Sequence, residues 1–241
     1  MRYKKKKIKI KSVISVLALC VLFMFVLFVS SCKDKVIPPV EVGYEYFPVD
    51  VGHWIEYEVD SIVYDDFTGT IDTSHYFIKE VFESEFIDNQ NRPTVRMERY
   101  FKAADTLNYT LKDIWYVNLT TSTAEKVEEN YRITKLAFPI NSLQSWDKNA
   151  FNVNDEIIYE YDDIHEAKTI NTLSFDSTIT AQHYDQVTLI SEDYEFEIYA
   201  KNVGMIKKKF VHLEKVWDNP SQAWIIESGV ILEYKIIDYK K

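Results

Sequence analysis

Apolar and polar residues alternate with a period of two along much of this chain, and this alternation constrains the fold more than any other feature. Ile55, Tyr57 and Val59 alternate with charged or amphipathic neighbours, and the same period returns over residues 94–101 and 195–200. Aromatic residues make up 15% of the chain, whereas only five glycines occur. Because successive side chains of a strand point to opposite faces, the pattern predicts antiparallel strands with one buried and one solvated face.

Eleven segments carry this strand pattern, and turn signals rich in Asp, Asn, Gly and Pro separate several of them. They lie near residues 53–64, 71–83, 94–102, 113–120, 131–138, 156–161, 169–180, 186–190, 194–200, 204–217 and 223–238. Several exceed the usual five or six residues, which is typical of a large curved sheet. No apolar pattern of helical period persists beyond about two turns, and residues 162–168 are the candidate for a short helix.

We therefore predict a mainly β fold with a single antiparallel curved sheet, half-barrel or barrel-like, and at most short helices after an N-terminal signal helix. Parallel βαβ units are excluded because long amphipathic helices are not predicted. Phe196, Ile198 and Ala200 are predicted to form the buried face of one strand. Glu195 and Glu197 alternate with them and are predicted to face solvent.

One weak internal similarity suggests that the sheet has two halves. Phe47-Pro48 precedes Trp54, and Phe138-Pro139 precedes Trp146 with one more residue between Phe and Trp. Each pair could begin one half of the sheet. The alternative is coincidence, because proline is common where strands begin.

The first 31 residues differ from the rest of the chain in charge and hydropathy. They contain seven basic residues and no acidic residue, and residues 13–29 form an uncharged apolar run. Removing these seven of the 28 Lys and Arg leaves 21 against 38 Asp and Glu, a net charge of −17. A basic segment followed by an apolar run and small residues indicates a secretory signal, which takes no part in the mature fold.

Val29-Ser30-Ser31-Cys32 closes this run and resembles the lipobox of bacterial lipoproteins. The resemblance implies cleavage between Ser31 and Cys32, a thioether-linked diacylglycerol on Cys32, and acylation of the new N-terminus. A cysteine is needed because the thiolate sulfur is the nucleophile that accepts the lipid. The alternative is an uncleaved membrane-anchoring helix that happens to contain a cysteine.

The resemblance divides the chain into a lipoprotein signal peptide (residues 1–31), a lipidated cysteine with its tether (32–42) and a β domain (43–241). Cys20 leaves with the signal, so the mature domain contains no thiol for a disulfide, a nucleophile or a metal ligand. Lys33 follows Cys32. Some lipoproteins that are retained at an inner membrane carry Asp at this position, so Lys33 favours sorting to the outer membrane. We expect its periplasmic face, with surface display as the alternative.

Two motifs of the mature chain are similar to motifs of uncharacterised Bacteroidota-type envelope lipoproteins. One is Phe47-Pro48-x3-Gly52-x-Trp54, and the other is Tyr199-Ala200-Lys201-Asn202-Val203-Gly204. The second motif usually reads Tyr-Ala-Lys-Gly-Val-Gly, and Asn202 takes the place of its first glycine. Asn and Gly both tolerate a left-handed backbone, so the turn is expected to survive. The resemblance implies an envelope location and no particular activity.

The sequence contains no recognisable catalytic, cofactor or metal pattern. The five histidines lack metal-ligand spacing, and neither a Gly-x-Ser-x-Gly elbow nor a phosphate-binding glycine loop occurs. Adjacent carboxylates on a strand point to opposite faces, so they do not form the facing pair that a glycosidase needs. The net charge of the mature chain argues against nucleic acid as a partner. We expect no enzymatic activity, no cofactor and no metal.

Three short motifs point to a modification. Asp60-Ser61-Ile62, Asp105-Thr106-Leu107 and Asp176-Ser177-Thr178 resemble the O-glycosylation motif of Bacteroidota envelope proteins. The resemblance implies glycans on Ser61, Thr106 and Ser177. The alternative is that Asp-Ser and Asp-Thr are ordinary turn dipeptides.

The leading functional hypothesis is an outer-membrane lipoprotein, anchored in the membrane by its N-terminal lipid, whose β domain is a non-enzymatic module that binds other envelope proteins. The alternative is a periplasmic half-barrel carrier for a lipid or other apolar ligand. A glycan-processing enzyme is a third hypothesis. An exposed aromatic patch would favour the interaction module, and an apolar cavity would favour the carrier. Two facing carboxylates with a perturbed pKa would favour the enzyme.

Overall fold

The computed structural model describes residues 41–183 and 186–241. The predictions for the signal peptide, for cleavage after Ser31 and for lipidation of Cys32 lie outside these residues. In the described part, no helix is long and apolar enough to span a membrane.

Thirteen strands and one turn of 3-10 helix at Tyr44–Tyr46 make up the regular structure. The strands are β1 (Trp54–Asp65), β2 (Thr70–Ile87), β3 (Pro93–Lys102), β4 (Thr110–Leu119), β5 (Thr123–Glu128), β6 (Tyr131–Ala137), β7 (Ser145–Asp147), β8 (Ile158–Ile170), β9 (Leu173–His183), β10 (Gln186–Val187), β11 (Ser191–Ala200), β12 (Gly204–Asp218) and β13 (Ala223–Lys240).

The strands form one antiparallel sheet in the order β6-β5-β4-β3-β2-β1-β13-β12-β11-β9-β8-β7, and β10 pairs with β11. Neighbours in the chain are thus mostly neighbours in the sheet, and β13 returns to pair with β1. The two ends of the sheet also meet, because the Thr134 N–H donates to the Lys148 carbonyl at 2.9 Å. The indole N–H of Trp146 donates to the Thr134 carbonyl at 3.1 Å. The sheet is therefore nearly closed into a barrel, and the predicted fold class is confirmed.

Two details of the strand prediction are wrong. Residues 162–168 belong to β8 and not to a short helix, with left-handed backbone at Asp163 (φ 47°) and His165 (φ 63°). Pairing with β9 outweighs the weak propensity of so short a helix. β5 and β7 were not predicted, because β5 carries charged residues on both faces and β7 has only three residues.

The two Phe-Pro pairs do precede the two halves of the sheet. Phe47-Pro48 leads to β1, and Phe138-Pro139 leads to β7, where the chain leaves one end of the sheet and begins the other. Both phenylalanines are buried in the same hydrophobic cluster. The half-sheet interpretation therefore agrees with the structure better than coincidence does.

β11 is buried on both faces, which corrects the prediction of a solvated face. Glu195 and Glu197 are only 6% and 2% exposed, while Ile198 and Ala200 on the opposite face are also buried. Closure of the sheet turns the face that carries Glu195 and Glu197 inward, and lysines from other strands neutralise these carboxylates. Alternation identified the strand but assigned the wrong environment to its charged face.

The turn at Asn202 keeps the expected backbone. Asn202 has φ 61° and Gly204 has φ 97°, both in the left-handed region. The Asn202 N–H donates to the Glu45 carbonyl at 2.7 Å, which joins this turn to the start of the domain. Asn thus replaces Gly there without a change in the backbone conformation that the motif requires.

Candidate functional site

A two-stranded ribbon projects from one end of the sheet. β12 loses its β11 partner after Glu214, and β13 loses its β1 partner before Gly229. Beyond these positions the two strands pair only with each other, apart from one bond from the Lys215 N–H to the Ile190 carbonyl at 2.8 Å. We call residues 215–228 the ribbon.

Both faces of the ribbon present large apolar side chains to solvent. Trp217 pairs across the strands with Trp224, and Val216 pairs with Ile225. These four residues are 37–43% exposed. The two indole rings meet edge to face, with centroids 5.8 Å apart. Since adjacent pairs point to opposite faces, neither face of the ribbon is covered by its own domain.

Neighbouring turns extend the apolar surface around the ribbon. The β1–β2 turn exposes Phe67 and Ile71, and the segment that leads into β11 exposes Leu189 and Ile190. We call residues 60–75, 187–193 and 212–228, which include the ribbon, the hairpin end. Exposed apolar groups clustered in this way commonly mark an interaction surface.

The hairpin end is also strongly acidic. The hairpin end contains nine carboxylates and one lysine, Lys215, and Lys235 from the adjoining part of β13 pairs with Asp60 at 3.6 Å. The carboxylates are Asp60, Asp65, Asp66, Asp72, Glu192, Asp193, Glu214, Asp218 and Glu227. Backbone N–H groups of Thr68 and Phe67 lower the pKa of Asp65, so this turn carboxylate stays ionised. The surface therefore combines an apolar centre with negative charge.

The interior of the sheet contains a second candidate site, a cavity of about 160 Å³ with room for roughly ten water molecules. Its lining includes equal numbers of cations and anions. They are Lys126, Lys135, Lys208, Glu80, Glu128 and Glu197. Trp115, Met205, Leu232 and Tyr234 complete the lining. The cavity is therefore polar, although the surrounding core is apolar.

Each cavity lysine pairs with at least one carboxylate of another strand. The Lys126 ammonium lies 2.9 Å from Glu80 and 3.6 Å from Glu128. The Lys135 ammonium lies 2.8 Å from Glu197 and 3.4 Å from Glu128.

Two further lysines continue this network away from Lys135. The Lys208 ammonium lies 2.9 Å from Glu195 and 3.5 Å from Glu197. Lys148 pairs with Glu195 in turn. The pairs thus form a continuous network across β2, β5, β6, β11 and β12.

The network favours the charged form of three carboxylates and two lysines, whereas burial lowers the pKa of Lys148. Burial by itself raises the pKa of Glu128, Glu195 and Glu197, but the neighbouring ammonium groups outweigh burial and lower the pKa of all three below the ordinary value. Conversely, burial opposes the charge of Lys135 and Lys208, and the surrounding carboxylates nevertheless raise the pKa of both. A glycosidase needs a carboxylic acid that is still protonated. The lowered pKa values of these three carboxylates do not provide one.

A smaller cavity of about 30 Å³ adjoins the charged one. It is lined largely by apolar groups, including Phe47, Ile55 and Phe82. Its volume corresponds to roughly two water molecules, so it does not hold an acyl chain.

The sequence-predicted modification sites are not brought together. Ser61 lies within β1, and Thr106 is exposed in the loop between β3 and β4. Ser177 lies in β9, where its hydroxyl is 2.7 Å from the Tyr46 hydroxyl. Thr106 is therefore the most accessible of the three, and glycosylation of any of them stays a prediction.

The tryptophans divide between core and surface. Trp146 is buried, and Trp54 and Trp115 are partly buried beneath lysine ammonium groups. Trp217 and Trp224 are the exposed pair of the ribbon. Among the described residues, no group of three or more His, Asp or Glu has an arrangement that could hold a metal ion.

Sequence reasoning missed the interior charges. The available signal was charged residues two apart within apolar strands, as in Glu195-x-Glu197 and Lys126-x-Glu128. Such a pattern predicts a charged face but cannot distinguish solvent from an enclosed network of opposite charges.

No protein-family model and no curated protein matches the sequence. Two solved structures are similar to it. One is described as an exported protein with a YmcC-like fold from Bacteroides fragilis; its TM-score is 0.41 at 13% identity, over 81% of this chain and 98% of that chain. The other is described as a lipoprotein from Parabacteroides distasonis; its TM-score is 0.39 at 9% identity, with the same coverage of both chains.

Proposed function

We propose that this chain is an outer-membrane lipoprotein, anchored through Cys32, whose β domain is a non-enzymatic interaction module. The observation that supports the interaction module is the ribbon, because apolar pairs on both of its faces are left uncovered by the domain. The lipobox and the basic, apolar leader support the anchor. The proposed partner is another protein of the cell envelope.

The charge of the hairpin end favours a basic partner with an apolar centre. Nine carboxylates against one lysine attract cationic surfaces and repel a second copy of the same end. An anionic lipid surface is disfavoured for the same reason. Apolar contact by Trp217 and Trp224 supplies affinity, since aromatic side chains dominate the energetics of many interfaces.

The position of the N-terminus favours a partner away from the anchoring membrane. Glu45 pairs with Lys201 at 2.8 Å, so the first described residues lie beside the turn that begins β12. The ribbon lies at the other end of β12, which at ~3.3 Å per residue is roughly 45 Å long. A domain tethered at its first residues can thus present the ribbon at a distance from the bilayer.

Site-specific photo-crosslinking in the native envelope tests this proposal. A photoreactive residue at Ser221, in the exposed ribbon turn, is expected to form an adduct with one basic envelope protein. The adduct should be lost in a Trp217→Ala/Trp224→Ala variant and should weaken at high salt, which screens surface charges. The matched control is the same probe at Asn130, an exposed turn residue outside the hairpin end. Identical adducts from both positions, or an adduct with a second copy of the chain, would contradict the proposal.

The anchor has its own test. Cys32→Ala should abolish labelling with a radioactive fatty acid and release the protein from membranes. Cys20→Ala is the control, because Cys20 is removed with the signal and its loss should leave labelling unchanged. Labelling that survives in Cys32→Ala would refute the lipoprotein assignment.

The hypothesis of a carrier for a lipid or other apolar ligand fits the geometry less well. The larger cavity is lined by charged groups and the apolar cavity is too small for an acyl chain. Burial of an apolar molecule against the charged lining would leave ions desolvated without compensation. If the interior does bind a ligand, its chemistry must be polar.

A further inference from the structure

We infer that the charged cavity is a binding site for a small, neutral, polyhydroxylated molecule, of the size of one monosaccharide. This site is independent of the hairpin end and of its proposed partner. It lies on the inner face of the sheet, among β2, β4, β5, β6, β11, β12 and β13.

The charges of this cavity are not explained by stability. Glu80, Lys126, Lys135 and Glu197 each expose less than a tenth of their side chain. Buried ion pairs of this kind are often no more stabilising than apolar residues of the same volume. A network that also encloses about 160 Å³ of space gives up packing contacts that an apolar core would make. A function in binding accounts for both features.

The balance of charge determines the class of ligand. Three ammonium groups and three carboxylates line the cavity, so a ligand with a net charge would introduce an uncompensated charge into a buried site. An apolar ligand would desolvate the ions without replacing the lost hydrogen bonds. A neutral polar ligand avoids both penalties.

Hydroxyl groups suit the remaining hydrogen-bonding capacity. Each ammonium has three donors and each carboxylate has several acceptor positions, and the ion pairs occupy only part of them. A hydroxyl both accepts from Lys and donates to Glu without breaking an existing pair. A zwitterion, in contrast, would have to displace a Lys–Glu pair to place its own charges.

Two residues of the lining are less buried than the others. Glu128 and Lys208 expose about a fifth of their side chains (22% and 20%), so we place the entrance of the cavity at these residues. Trp115 lies beside them, with the Lys126 ammonium 4.4 Å from its ring centroid. A ligand entering here would contact Trp115, which provides an optical probe.

Titration of the mature lipidated chain in detergent tests the site. Glucose, galactose, N-acetylglucosamine and glycerol are the probes, and Trp fluorescence and calorimetry are the readouts. At least one sugar is expected to bind and to perturb the fluorescence, and the perturbation should disappear in Trp115→Phe. Glu128→Gln should weaken binding by about tenfold or more, as expected for loss of a hydrogen bond to a charged group. Glu58→Gln, outside the cavity, is the matched control.

Native mass spectrometry of the chain purified from its own envelope is the second measurement. A neutral polyhydroxylated mass that is released on denaturation and absent from Glu128→Gln would support the inference. It is overturned if none of the four probes binds and no such mass is released. It is equally overturned if inorganic phosphate, glycine or palmitate binds at the cavity instead, or if Glu128→Gln binds as the unmodified chain does.

Discussion

At the scale of single residues, the interior ion pairs make this domain sensitive to loss of one partner. Lys135 and Glu197 are 2.8 Å apart and both almost fully buried. Removal of the cation alone leaves buried carboxylates without their counter-charge, which typically destabilises by about 3–5 kcal/mol. Lys135→Met is therefore expected to lower the free energy of unfolding by about that amount in urea denaturation.

Lys201→Met is the matched control for this prediction. Lys201 also lies 2.8 Å from a carboxylate, that of Glu45, but 37% of its side chain is exposed. Exposed pairs contribute about 0–1 kcal/mol, so this variant should unfold nearly as the unmodified chain does. Equal effects of the two substitutions would show that burial does not govern the strength of these pairs.

At the scale of elements, Gly229 is the position where the ribbon leaves the sheet. It has φ +128°, and a Cβ there would lie 2.1 Å from the His212 carbonyl oxygen of the paired strand. The backbone of β12 at His212 cannot move away without disturbing its hydrogen bonds to β13. Gly229→Ala is thus expected to destabilise the domain by about 1–3 kcal/mol or more, which thermal unfolding would show as a shift of several degrees.

Gly69→Ala is the control for a positive φ without a collision. Gly69 has a φ of +66°, and nothing lies within 4 Å of a Cβ built there. The excess destabilisation of Gly229→Ala over Gly69→Ala therefore reports the collision with β12 together with the greater backbone strain at φ +128°. Similar values for the two variants would contradict the close approach of β13 to β12 at this point.

Most of the elements could be predicted from the sequence, since eleven of the strands follow from local alternation. The missed strand β5 shows the limit: Glu125 and Lys126 are adjacent, and both are buried. Their burial depends on partners in other strands, which are Arg132 of the adjacent β6 for Glu125 and Glu80 of the distant β2 for Lys126. No periodicity within β5 reveals such partners, so its polar sequence is read as a loop.

At the scale of the whole molecule, the ion network predicts that the domain is most stable at pH values between the titration of its carboxylates and the titration of its lysines. The folded-state pKa of Glu128, Glu195 and Glu197 is lowered, so their contribution is present above the ordinary value of 4.5 and is lost as the pH falls below it.

Two lysines and the buried tyrosines set the alkaline limit of this plateau, because burial also raises the pKa of Tyr57, Tyr161 and Tyr199. The pKa of Lys135 and Lys208 is raised, so their contribution is present below 10.5 and is lost as the pH rises above that value and through the folded pKa.

Urea midpoints measured from pH 2 to pH 11 would check this profile. The midpoint should stay high between about pH 5 and pH 10 and fall on both sides. Glu197→Gln should make the urea midpoint fall less steeply as the pH decreases below about 5, since one of the titrating carboxylates is removed. A midpoint that is unchanged from pH 7 down to pH 3 would contradict the assignment of ionised carboxylates to the interior.

The antiparallel strands, the turns between them and the left-handed position at Asn202 follow from local sequence, because strand alternation and turn chemistry depend on neighbouring residues. The leader and lipobox are likewise read from contiguous residues. In contrast, the pairing of β13 with β1 joins residues far apart in the chain, and the approach of β7 to β6 brings the two edges of the sheet together. That closure decides which face of each strand is enclosed, and therefore whether a row of Lys and Glu meets water or meets its counter-ions. The charged cavity and the uncovered ribbon exist only because of this long-range arrangement.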